Sequence, residues 1–99
     1  MGGLESFTHE TFRPLVGQTF SVEGERARMD LHLTDVQSDG SQKGPTGRTP
    51  FSLWFRGPGE PVWPQLSYRV SHHLLGSFNL FLVPLGPHDG GMRYEAIFT

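Results

Sequence analysis

SFNLFLVPLGPHDGGMRYEAIF, residues 77–98, is the stretch on which the fold turns. Its second half alternates Met92, Tyr94, Ala96 and Phe98 with Arg93, Glu95 and Ile97, the period of two that gives a strand one apolar face. Its first half, Ser77 to Val83, sets Phe78, Leu80 and Leu82 on one face and Phe81 and Val83 on the other. A strand apolar on both faces is expected to be covered on both. The second cover is either an N-terminal helix or another chain. Between the halves, Gly86 to Gly91 (GPHDGG) reads as a turn cluster.

The same period runs upstream. Gln18–Glu23 places Phe20 and Val22 on one face. Arg28–Gln37 turns Met29, Leu31 and Leu33 inward and Asp30, His32 and Thr34 outward, and Val36 breaks that parity, which predicts a bulge near Asp35. Pro50 opens a third strand in which Phe51, Leu53 and Phe55 alternate with Ser52, Trp54 and Arg56. Gly57 to Pro64 is a stiff, proline-rich connection. Leu66, Tyr68 and Val70 form the inward face of a fourth strand, opposite Ser67, Arg69 and Ser71. Before the strands, Thr8 or Thr11 can cap a helix of one or two turns through Phe12, Leu15 and Val16, with Pro14 in its first turn and Gly17 as its stop. Those three apolar residues are expected to pack on the sheet.

Six short strands joined by Gly/Pro turns predict a mostly β fold: a small six-stranded antiparallel barrel or sandwich with meander connections and a short N-terminal helix. No stretch offers the crossover helix that parallel pairing requires. The 99 residues make one domain, 1–99. Residues 1–7 are expected to be a flexible start and 38–49, rich in Gly, Ser and Pro, a mobile loop.

Ten acidic and eight basic residues leave a formal charge of −2, so no strong field points to nucleic acid or an anionic membrane. All the basic residues but Lys43 are Arg, a side chain that pairs bidentately and stacks on aromatic rings. The absence of Cys excludes disulfides, thiolate metal sites and cysteine nucleophiles. There is no basic region followed by an apolar run at the start. The longest apolar stretch, Leu80–Leu85, is too short to span a bilayer and contains Pro84. A cytoplasmic location is expected.

The blocks LESFTHETFRPLVGQTF (4–20), PFSLWFRGP (50–58) and HHLLGSFNLFLVPLGPHDGGMRYEAIF (72–98), taken in order, resemble a family of small, uncharacterised bacterial β domains of about this length. That family is similar to domains associated with phage-tail-collar-like proteins, which implies an accessory role and no assigned chemistry. One departure is Leu66, where the resemblance implies a Gly.

Catalytic chemistry finds no foothold in the residue pattern. His72 and His73 are adjacent and point to opposite faces of a strand, and His32 and His88 lie on an outward face and in a turn. No H-x-H or H-x₃-H spacing favours a metal, so no metal or cofactor is expected. Ser, His and Asp are present without a G-x-S-x-G elbow, and the acids fall in turns or on outward faces. The outward aromatics carry more. By parity Trp54 lies beside Arg56, and pairing of the third and fourth strands would bring Arg69 to them, the Trp–Arg cluster enriched at interfaces. Trp63 could extend it. The alternative places Trp54 under the helix or the Trp63 loop, as a second small core.

The expectation is therefore a non-enzymatic protein-binding or assembly module. Its interface candidates are Trp54, Arg56, Arg69, Phe81, Ile97 and Trp63, and its partner is another protein or its own copy, not nucleic acid or membrane. The second reading is a small-ligand-binding or enzymatic domain with Tyr68, Arg69 and His72 at one barrel end.

Overall fold

The alternation of apolar and polar residues closes on itself. In the computed structural model, which describes residues 7–38 and 49–98, β1 (Thr19–Glu23), β2 (Arg28–Ser38), β3 (Phe51–Gly57), β4 (Leu66–His72), β5 (Gly76–His88) and β6 (Gly91–Phe98) form a closed antiparallel barrel. They are preceded by α1 (His9–Phe12) and a 3₁₀ turn (Arg13–Leu15). The two stretches expected to be mobile lie outside the described residues except for Phe7, Ser38 and Thr49. Phe7 is buried.

Strand parity held throughout the interior. Phe20, Val22, Met29, Leu31, Leu33, Val36, Leu53, Phe55, Val70, Leu80, Leu82, Tyr94 and Ala96 are all buried, so the lumen is filled by the barrel's own side chains. Between Leu33 and Asp35 the β2–β3 register shifts, the bulge that returns Val36 to the inside. Leu66 is the exception: expected inward, it is 53% exposed. As the first residue of β4 it lies at the barrel mouth, at the end of the ladder where it pairs with Leu82.

The connections are not a simple meander. The strand order is β1-β2-β3-β6-β5-β4, closed by β1 on β4. β3 and β4 therefore stand on opposite sides of the barrel, and the chain between them crosses its end. The prolines of Gly57–Pro64 suit that path, since a crossing segment pairs with no strand and needs no row of backbone donors. The crossover is tied to the core by the Trp63 backbone N–H, which donates to the Tyr94 hydroxyl at 2.9 Å.

The opposite end is plugged by the helix. Thr8 N–H donates to Thr11 Oγ1 at 3.0 Å, starting the single turn, and Gly17 ends it at φ +93°. Phe12 is fully buried, its ring 5.4–6.4 Å from those of Phe7, Phe20, Phe51 and Phe98. Leu15 is buried beside it, whereas Val16, expected to pack on the sheet, is 46% exposed. The helix thus seals the lumen and does not cover the outer face of β5, where Phe81 stays 49% exposed.

β5 runs farther than its prolines suggest, to His88. Beyond Leu82 its only strand partner among the described residues is β6, so Pro84 and Pro87 lie on a segment paired along one edge, where a missing N–H is tolerated. The hairpin turn narrows to Asp89 and Gly90, both at positive φ (51° and 78°), the geometry of a type I′ turn.

Candidate functional site

The outward residues of β2, β3, β6 and β5 line up in rows set by the strand register. One row carries Asp35, Trp54, Glu95 and Val83, because Glu95 pairs with Trp54 on one side and Val83 on the other. The next, towards the barrel mouth by the crossover, carries His32, Arg56, Arg93 and Gly86. The third carries Gln37, Ser52 and Ile97. Two residues along from the Val83–Glu95 pair stand Phe81 on β5 and Ile97 on β6, 49% and 62% exposed. Phe81, Val83 and Ile97 give this face an apolar strip bordered by Trp54.

Polar contacts hold Trp54 in place. Its indole N–H donates to Glu95 Oε2 at 3.1 Å, and the Arg93 guanidinium lies over its ring, 4.9 Å from the centroid. Arg93 also donates to His88 Nε2 at 2.9 Å. Arg56 and Arg93 are cross-strand partners, an arrangement that costs energy for like charges. Arg56 Nη1 relieves it by turning away to the Asp89 carbonyl at 3.2 Å. The result is a half-buried aromatic ring held by Glu95 at its indole N–H and by Arg93 over its face.

Of the expected cluster, Trp54, Arg56, Phe81 and Ile97 fall on this one face. Arg69 does not: β3 pairs with β6 instead of β4, and Arg69 lies across the barrel opposite Glu23 and Asn79. Arg93 occupies the place assigned to it. Trp63 is also elsewhere, in the crossover, with its ring 5.4 Å from that of Tyr68. Trp54 lies under neither the helix nor the crossover.

Tyr68, Arg69 and His72 do not converge. Tyr68 and His72 face inward four residues apart on β4, roughly 13 Å along an extended strand, and Arg69 faces out. The Tyr68 hydroxyl donates to the Pro64 carbonyl at the crossover end, and burial, with Tyr94 adding to it, raises its pKa above the ordinary phenol value. His72, at the helix end, is 5% exposed. Its Nδ1 accepts from the Leu74 and Leu75 backbone N–H groups at 3.1 and 3.4 Å, so the proton sits on Nε2 and is donated to Gln18 Oε1 at 2.6 Å. Burial, and to a lesser degree His73, lowers its pKa. Those bonds make His72 the organiser of the β4–β5 turn. Among the described residues no three His, Asp or Glu side chains gather where they could hold a metal ion.

Residues 7–98 match the family model described as Domain of unknown function (DUF6916). The chain belongs to that family. The match takes in the helix and every strand, so the family is defined over the whole barrel. No curated protein and no solved structure matches the chain. Among the described residues no helix is long and apolar enough to cross a membrane.

Proposed function

We propose that this domain is a non-enzymatic protein-binding or assembly module that docks through the β3–β6–β5 face, with another protein or its own copy as the partner. The observation that carries the reading is the exposed Phe81–Ile97 pair beside a Trp54 ring already fixed by Glu95 and Arg93. An isolated exposed apolar residue needs no explanation, but a contiguous strip beside an aromatic anchor with an arginine rim has the composition of an interface core. A Trp54 ring already held in this way lowers the ordering cost of association. The same reading includes a cytoplasmic, bacterial setting and an accessory role of the kind associated with phage-tail-collar-like proteins.

Sedimentation equilibrium across a wide concentration range tests the self-association form. The wild-type chain is expected to associate, and Trp54→Ala to weaken association about tenfold or more while retaining cooperative unfolding. A strict monomer at the highest concentration would exclude the chain's own copy as the partner.

A further inference from the structure

We propose that the β3–β6–β5 face takes a second copy of this chain, in a two-fold dimer that sets the acidic row of each copy against the basic row of the other. The inference rests on the docking-face reading above and names the occupant. A two-fold contact is isologous: whatever a residue meets on the other copy, its own counterpart meets in return. Such a face must complement itself, and two adjacent rows of this one do.

Asp35, Trp54, Glu95 and Val83 form one row and His32, Arg56, Arg93 and Gly86 the next, both in the strand order β2, β3, β6, β5. Successive outward rows stand about 7 Å apart along the strands. A two-fold axis in the contact plane, parallel to the rows and midway between them, exchanges the rows and keeps the strand order. Asp35 then faces His32 of the other copy, Trp54 faces Arg56, Glu95 faces Arg93 and Val83 faces Gly86. Glu95 with Arg93 is an ion pair, Trp54 with Arg56 a guanidinium on an indole, and Asp35 with His32 a carboxylate against an imidazole. The fourth pair fits by shape. A Cβ at Gly86 would meet nothing within 4 Å, so the row has a notch there that a valine can enter. One row farther out, the exposed Ile97 and Phe81 extend the contact towards the other copy's hairpin end, where His88 pairs with Gly91.

The single chain leaves these charges unspent. Among the described residues, Asp35, Glu95, Arg56 and Arg93 form no ion pair. Arg56 and Arg93 are also neighbours across β3 and β6, a like-charge pairing that an opposing carboxylate relieves. The sign pattern selects the axis. One running parallel to the strands between β3 and β6 would oppose Arg56 to the other copy's Arg93, adding like charge to like. The two carboxylates and two guanidiniums of these rows balance, and the exchange closes after two copies, so the assembly stops at a dimer.

The test is sedimentation equilibrium on the full chain, on Arg93→Glu, on Glu95→Arg and on an equimolar mixture of the two variants. The wild type is expected to form a dimer and nothing larger. Its dissociation constant is expected to rise several-fold as salt increases from about 0.05 to about 0.5 M. Each variant alone sets like charge against like and is expected to weaken the dimer about tenfold or more. In the mixture, the Glu95 kept by one chain meets the Arg93 kept by the other, and the two exchanged charges meet each other. A one-to-one dimer is therefore expected to return to within about threefold of wild-type affinity. The salt series uses the native chain and stands even if a variant fails to fold. A strict monomer, a salt-insensitive dimer, variants that dimerise as the wild type does, or a mixture without recovery would each overturn the proposal. A strict monomer leaves another protein as the partner of the face. A wild-type dimer that neither Trp54→Ala nor the charge changes weaken would overturn the face as well.

Discussion

His72 shows how one buried polar side chain ties the fold to pH. Its folded-state pKa lies below the value of about 6.5 expected for the unfolded chain, because burial and, to a lesser degree, the neighbouring His73 disfavour the imidazolium. The unfolded chain therefore binds the proton more readily. Its contribution to stability is fully present above about pH 6.5 and is lost as pH falls from there towards the depressed folded value. Thermal unfolding followed from pH 8 down to pH 5 is expected to show a steeper loss for the wild type than for His72→Gln; equal slopes would contradict this account of the turn. Strand alternation predicts that His72 and His73 face opposite ways, but β4 ends at His72 and the turn that follows brings the His73 ring to 4.5 Å from that of His72. What was not legible is that Gln18, 54 positions away, receives the His72 proton. Trp54 teaches the same lesson. Its outward direction followed from parity, but its cation, Arg93 in place of Arg69, depends on which strands are neighbours.

At the scale of elements, the helix is short and its contribution comes from one side chain. Phe12→Ala is expected to destabilise the domain by about 3–5 kcal/mol, read by chemical denaturation, because it empties the centre of an aromatic cluster that closes the lumen. A loss below about 1 kcal/mol would mean the helix is not a plug. The β5–β6 hairpin is equally specific. A Cβ at Gly91 would overlap the Gly57 carbonyl oxygen across the strands, and backbone cannot swing aside as a side chain can. Gly91→Ala is expected to cost about 2 kcal/mol or more by the same measurement. The strands themselves, and the bulge near Asp35, were readable because period two is a local signal. Two features were not. The extension of β5 through Pro84 and Pro87 depends on β4 having ended, and the β3–β4 crossover replaces a meander because strand order is set by long-range pairing that alternation does not encode.

For the whole molecule, closure of the barrel fills its lumen with its own side chains, with the helix at one end and the crossover at the other, so the proposed docking falls to the outer face. The question posed by an apolar strand such as 77–83, what covers its second face, is sharpened by finding Phe81 exposed and, two residues along the register from the Val83–Glu95 pair, Ile97 exposed as well. The most direct test of that face is site-specific photo-crosslinking in the cell that naturally carries the domain. A photoreactive phenylalanine analogue is placed at Phe81 or Ile97, and at Asn79 on the same strand as the control. Crosslinks to one defined protein, the chain's own copy or another, are expected from Phe81 and Ile97 and not from Asn79. No crosslink from either position, or the same products from all three, would contradict the docking face.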